Sequence, residues 1–153
     1  MLKYLWAVIL LLVAACSQKD AAIKKYPEKI IGRWVVTQHT IVQNAAGEGQ
    51  KDTIKIDESP IFRQYQPAEI EYGREGGYLL VIKNHAGEIE HRRAGLWKFE
   101  HDTLVHLEYD STIFEKFHTV LTDTSMVVEN MQDHDEDGQA DDAYRGVYKK
   151  VIR

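Results

Sequence analysis

The sequence is poor in the residues that cross-link or interrupt strands. It has one cysteine and three prolines among 153 residues, and the prolines stand at positions 27, 60 and 67. A lone cysteine forms no intrachain disulfide, so the fold must rest on its own apolar core. No predicted strand contains a proline, so none loses a backbone donor from its ladder. These absences favour an uninterrupted β-sheet over a disulfide scaffold.

The sequence also lacks the motifs of familiar enzyme classes. It has no Gly-x-Ser-x-Gly element and no phosphate-binding loop. Its seven histidines are scattered, without the His-x-His or His-Glu-x-x-His spacing of a zinc site. We interpret them as solvated side chains, with His106 and His118 as neighbours on adjacent strands. The chain is therefore expected not to be an enzyme.

The single cysteine, Cys16, follows a short apolar segment. Residues 5–15 carry no charge, and Lys3 precedes them. The segment is shorter than the roughly 20 apolar residues that a membrane-spanning helix needs, and a basic start with a small-residue exit is typical of a secretory signal. Val13-Ala14-Ala15-Cys16 resembles the lipobox of bacterial lipoproteins, which implies cleavage before Cys16 and its lipidation. The alternative is an ordinary signal peptide in which the cysteine falls at this place.

This signal divides the chain into three predicted parts. Residues 1–15 are the lipoprotein signal peptide, 16–30 a lipidated tether with a short helical turn over 21–25, and 31–153 one β-barrel domain. Pro27 interrupts that turn, and residues 28–31 could form one more. Loss of Lys3 with the signal changes the formal net charge from −5 to −6, so nucleic acid is not an expected partner. The membrane is instead reached through the lipid anchor. Because no aspartate directly follows Cys16, the resemblance implies the outer membrane of a bacterial cell envelope and leaves the leaflet open.

Beyond Ile31 the pattern of apolar residues is that of β-strands. No stretch of ten or more residues keeps a 3.6-residue period, whereas short alternating or β-branched segments are separated by turn residues. Eight or nine strands with hairpin-length connections favour an all-β, antiparallel, up-and-down barrel, preceded by the short helical turn and the signal helix. The predicted strands are 34–42, 51–57, 68–72, 77–83, 88–99, 103–109, 114–122, 126–131 and 143–151.

Three short motifs resemble those of a known family. They are Gly32-Arg33-Trp34 before a β-branched strand, Gly95-Leu96-Trp97-Lys98-Phe99, and the segment 121–129. Together they are similar to the lipocalin-like, calycin-type domains of bacterial lipoproteins. The resemblance implies that Gly32 turns the chain into the first strand and that Trp34 plugs one end of the barrel. It also implies that an arginine of the last strand, Arg145, lies across the Trp34 ring in a cation–π contact.

One face of the fifth predicted strand suggests a ligand site. His91, Arg93, Trp97 and Phe99 fall on the same side of a strand with a period of two. If that side faces the barrel interior, the histidine and arginine could orient the acidic head group of a small amphiphile near the open end. The alternative is a β-bulge that turns both residues to water.

An acidic loop precedes the last predicted strand. Its Asp-x-Asp-x-Asp-Gly core has oxygen ligands at the spacing of a calcium loop. Position 12 of such a loop is Tyr144 instead of glutamate, and no helices are predicted beside it, so it is closer to the weak calcium loops of extracellular modules. The alternative is a solvated hairpin loop. The predicted ligands are Asp133, Asp135, Asp137, the carbonyl of Gln139, and Asp141.

The sequence thus predicts a non-enzymatic outer-membrane lipoprotein with two candidate roles. In the first, the barrel binds a small hydrophobic ligand. In the second, it is a calcium-stabilised interaction or assembly module that contacts another envelope protein and has a filled core. An eight-stranded barrel can serve either role, because its interior is just wide enough to be packed or to hold one ligand. An internal cavity would favour the first role and a solid core the second.

Overall fold

The computed structural model describes residues 27–43, 51–55, 62–112 and 114–152. The signal peptide, Cys16, the tether as far as residue 26 and the helical turn predicted over 21–25 lie outside the described residues. The turn predicted at 28–31 is a hydrogen-bonded turn and not a helix, closed by the Ile30 amide on the Pro27 carbonyl at 3.1 Å. Within the described ranges, no helix is both long and apolar enough to cross a membrane.

The described residues form one antiparallel sheet that closes on itself. Its order is β2-β1-β3-β4-β5-β6-β7-β8-β9, and β1 also pairs with β9. Eight strands therefore make a closed barrel, while β2 extends β1 at one end. The strands are β1 (Gly32–Val42), β2 (Thr53–Lys55), β3 (Glu69–Tyr72), β4 (Gly77–Lys83), β5 (Ile89–Glu100), β6 (Thr103–Glu108), β7 (Phe114–Leu121), β8 (Ser125–Gln132) and β9 (Asp142–Lys150). The prediction of an antiparallel barrel is confirmed.

Closure of the barrel depends on local irregularities that the sequence supplies. The pairing of β1 with β9 shifts register between Val36 and Gln38, and such a bulge bends a strand and increases its twist. At Gly95 the neighbouring strand approaches so closely that an added Cβ would lie 2.1 Å from the Leu107 carbonyl oxygen. Only glycine permits this approach, which lets β5 and β6 pack tightly.

The core is concentrated at one end, which we call the closed end. Trp34, Trp97 and Met126 are 0–2% exposed there. Gly32 enters β1 with φ of 120°, a conformation that favours glycine. The turn at Pro27–Ile30 covers this end, since the Trp34 Nε1 donates to the Ile30 carbonyl at 2.7 Å. The opposite end, the open end, is where β8 passes through the acidic loop into β9.

Candidate functional site

The interior of the barrel contains a cavity of about 250 Å³ between the closed end and the loops of the open end. Its wall is formed by inward-facing side chains of all eight strands of the closed barrel. Most of these side chains are aliphatic or aromatic, as in ligand pockets in general. The aliphatic part includes Val36, Ile70, Leu80, Ile82, Leu104 and Val128, and the aromatic part Tyr72, Phe117, Tyr144 and Tyr148.

His106 is the central polar residue of this interior. It is 8% exposed, its Nε2 shares a hydrogen bond of 3.0 Å with the Tyr72 hydroxyl, and its ring stacks on Tyr78 at 4.4 Å. Burial, and then the nearby Arg93 charge, lower the pKa of His106 to about 3. The imidazole is therefore neutral at pH 7 and contributes polarity without charge. The prediction that His106 is a solvated side chain is therefore wrong. The residue opposite it on β7 is Glu115 and not His118.

The charged residues at the cavity wall are Arg93 and Glu115, and a second carboxylate, Glu108, pairs with Arg93 without lining the cavity. Arg93 Nε donates to Glu108, and its Nη2 donates to Glu115 at 2.9 Å. The hydrogen bond to Glu108 is the main reason that the pKa of Arg93 lies above its ordinary value. Arg93 and Glu115 both line the cavity. Because two glutamates hold one guanidinium, the three groups carry a net formal charge of −1.

Two tyrosines of β9 meet over a glycine. The hydroxyls of Tyr144 and Tyr148 lie 3.3 Å apart, and a Cβ on Gly146 would come within 2.8 Å of both side chains. Gly146 thus leaves the space into which both rings lean. Burial raises the pKa of each tyrosine above its ordinary value, so both hydroxyls stay protonated. They give the cavity a hydrogen-bonding pair within an aromatic wall.

His134 reaches the cavity from the acidic loop. Its ring lies 5.8 Å from the Tyr144 ring, while its backbone amide donates to the buried Asp142 carboxylate at 2.7 Å. Its Nε2 is buried and has no hydrogen-bond partner among the residues that the structure describes. A buried polar atom of this kind is costly to leave unsatisfied, and a ligand in the cavity could supply its partner.

Only one of the four ligand residues predicted on β5 is found in the cavity wall. Arg93 lines the cavity, but both of its bonded nitrogens already face glutamates. The register of β4 and β5 shifts just before His91, whose exposed ring lies 5.9 Å from Tyr65. Trp97 and Phe99 belong to the closed end, where Trp97 Nε1 donates to the Gly73 carbonyl at 3.1 Å.

A cation does lie over the Trp34 ring, but it is a different residue of the last strand from the predicted Arg145. Lys150 Nζ lies 5.2 Å from the centre of the Trp34 ring and donates to the Lys29 carbonyl at 2.6 Å. Arg145 instead points outward and pairs with Glu129 at 3.1 Å. The assignment of Arg145 is therefore wrong. The reason is parity, since even-numbered residues of β9 face inward and odd-numbered residues face outward.

The acidic loop gathers three carboxylates, only two of which belong to the predicted set. Ligand atoms of Asp133, Asp135 and Asp142 lie within 4.8 Å of one another. Asp137 instead accepts from the amide and side chain of Gln139 at 2.8 and 3.2 Å. Desolvation, and then repulsion from neighbouring carboxylates, raise the pKa of Asp141 above its ordinary value. The loop is thus organised by its own amides, and calcium stays a prediction.

The residues that sequence reasoning missed are the aromatic and polar ones on the inner faces. Tyr72, His106 and Tyr144 showed only a period of two, which does not say which face is inside. The signal that could have found His106 is its register opposite Trp97, because residues directly opposite each other share a face.

Comparison with known proteins adds little to this geometry. No family model matches the chain, and no curated protein matches it. Its fold is similar to that of an uncharacterized protein from Bacteroides eggerthii DSM 20697, with 13% sequence identity and a TM-score of 0.47. The similarity covers 80% of this chain and 99% of that one.

Proposed function

We propose that this protein is a non-enzymatic, lipid-anchored barrel of the bacterial outer membrane that binds one small, largely apolar molecule in its interior. The observation that carries the proposal is the cavity of about 250 Å³ with its aliphatic and aromatic wall. The unpaired His134 Nε2 supports it, because this atom offers a ligand an unsatisfied polar partner in a wall that is mostly aliphatic and aromatic. The alternative, an interaction module with a filled core, has less support since this space is not filled by side chains.

The size of the cavity limits the ligand. Pockets for drug-sized molecules usually measure about 300–1,000 Å³, whereas an apolar cavity of about 150 Å³ accommodates benzene. A volume of about 250 Å³ therefore suits a molecule with one or two rings, and it is small for a long acyl chain. Such a compact ligand also fits the lipocalin-like role that the sequence motifs suggest.

Binding can be tested with 2-phenylethanol, a neutral one-ring probe with a hydroxyl. Isothermal titration of the full-length chain should show saturable binding. Ala68, which lines the cavity, becomes a plug when enlarged, so Ala68→Phe is expected to weaken binding at least tenfold. Ala94 faces outward on β5 between the inward Arg93 and Gly95, and Ala94→Phe is the matched control. Equal binding by both variants would show that the probe binds outside the cavity.

The membrane anchor is a separate part of the proposal and rests on Cys16. Cys16→Ala should remove the lipid, so the protein should leave the membrane fraction and its mass should fall by that of the acyl chains. A two- or three-chain lipid holds a protein stably, at roughly 0.8 kcal/mol per buried CH₂. A variant that still pellets with membranes and keeps the wild-type mass would contradict the lipoprotein assignment.

Calcium binding is proposed as a stabilising accessory to the barrel. Millimolar Ca²⁺ should raise the melting temperature, because a ligand that binds only the folded state stabilises it, and Mg²⁺ should do less, because it dehydrates reluctantly. Asp135→Asn should abolish the effect, since Asp135 belongs to the close group of carboxylates. Asp137→Asn, outside that group, is the matched control. Identical melting curves with Ca²⁺ and with a chelator would contradict calcium binding and favour the alternative of a solvated hairpin loop.

A further inference from the structure

We infer that the cavity selects a small organic cation, an aromatic amine in particular, over acids of the same shape. The inference rests on the proposed function and names the chemical class of its ligand. This ligand has the opposite charge to the acidic head group expected from His91 and Arg93, because His91 is not part of the described cavity wall and Arg93 already binds carboxylates. Arg93 is held by both Glu108 and Glu115, so its charge is already compensated.

The balance of charge at Arg93 decides the sign of the ligand. Arg93, Glu108 and Glu115 together carry a net formal charge of −1, and His106 adds none because it is neutral. A bound ammonium group would bring this set to zero, whereas a bound carboxylate would bring it to −2. Burying an unpaired charge is costly, so the cavity can take a cation beside Glu115 with less penalty than an anion.

The aromatic wall favours the same sign. Tyr72, Phe117, Tyr144 and Tyr148 line the cavity, and the face of an aromatic ring attracts a cation, more strongly where water is excluded. A carboxylate meets no such attraction from a ring face. The same wall favours an aromatic amine over an aliphatic one, since flat rings can lie against its aromatic side chains.

The acidic loop at the open end adds a long-range electrostatic contribution to the preference for cations. Residues 133–142 include six acidic residues and no lysine or arginine, and this loop contributes His134 to the cavity wall. A rim of one charge raises the local concentration of ligands with the opposite charge and speeds their entry. Cations should therefore be drawn to the cavity and carboxylates repelled from it. This contribution should weaken as salt rises.

The test uses three probes that share a phenyl ring and a short chain but differ in charge. They are 2-phenylethylamine as the cation, 2-phenylethanol as the neutral analogue and 3-phenylpropionate as the anion. Isothermal titration of the full-length chain at pH 7 should show the amine binding at least tenfold tighter than the alcohol, and the propionate weakest. Raising the salt concentration should weaken the amine and leave the alcohol nearly unchanged.

Two variants assign the preference to the cavity. Glu115→Gln removes a carboxylate from the wall and should reduce the preference for amine over alcohol to less than threefold. Glu129→Gln is the matched control, since Glu129 also pairs with an arginine but lies on the outer face of β8, and it should keep the preference. If Glu115→Gln fails to fold, the comparison of the three probes on the unmodified chain still decides the matter.

The outcomes separate the two proposals. If the alcohol or the propionate binds as tightly as the amine, the charge selectivity is overturned while the ligand-binding function stands. If none of the three probes binds, both proposals fail. An amine preference that Glu129→Gln removes as fully as Glu115→Gln would place its origin on the outer surface, and would overturn the assignment to the cavity.

Discussion

Replacing Trp34 by alanine is expected to lower the free energy of unfolding by about 3–5 kcal/mol, the usual cost of truncating a large buried aromatic side chain. Trp34 is fully buried at the closed end, so its truncation leaves a cavity in the core. The substitution also removes the donor to the Ile30 carbonyl at 2.7 Å and the ring beneath Lys150. Urea unfolding followed by circular dichroism measures the change.

Two further variants show where the loss arises. Trp34→Phe keeps most of the apolar volume but leaves the Ile30 carbonyl without its donor, so an intermediate loss is expected. Val120→Ala removes apolar volume from an outer position that is 57% exposed, and surface changes of this kind usually stay within about 0.5 kcal/mol. A loss below about 1 kcal/mol for Trp34→Ala would mean that Trp34 does not close the barrel.

The strands could be predicted from the sequence because local pattern and local turns define them. The bounds of Gly77–Lys83 agree fully with the prediction, and those of β5 to β9 agree to within one residue at each end. The second strand is the main difference, since among the described residues of the predicted range 51–57, which are 51–55, only Thr53–Lys55 pair. All three of its residues are exposed, so no packing against the core extends the pairing.

The candidate site could be predicted only in part because it depends on register and closure. The choice between Arg145 and Lys150 as the cation over Trp34 is fixed by the pairing of β9 with β1, which joins residues more than 100 positions apart. The pairing of Arg93 with Glu108 and Glu115 depends likewise on three neighbouring strands. No local sequence pattern shows that Arg93 has these partners, and for this reason the sequence predicted that Arg93 binds the acidic head group of a ligand.

The acidic loop illustrates the same limit at shorter range. The spacing of a calcium loop pointed to Asp137 and Asp141, but the described group contains Asp142 in their place. Asp142 is the first residue of β9 and is fully buried, where it accepts the amides of His134 and Asp135 at 2.7 and 3.1 Å. The start of the strand, and not the loop motif, decides which carboxylate turns inward.

Acid should destabilise the fold through His106 before most carboxylates are protonated. The folded pKa of this residue is lowered to about 3 from 6.5, so below pH 6.5 the unfolded chain binds a proton that the folded chain does not. The stability contributed by the neutral imidazole is therefore present above pH 6.5 and is lost as the pH falls towards 3. By pH 4 the expected loss is about 3 kcal/mol.

The loss can be assigned to His106 by a substitution that keeps a hydrogen-bonding side chain but does not titrate. In His106→Gln the amide can still bond the Tyr72 hydroxyl, although the stacking on Tyr78 is weakened and the variant should start less stable at pH 7. Its free energy of unfolding should then fall much less than that of the wild type between pH 6.5 and pH 4. Urea titrations at half-unit steps of pH measure both slopes. Equal slopes would show that His106 takes up its proton in the folded barrel as the pH falls below 6.5, which would contradict the lowered pKa of the buried imidazole.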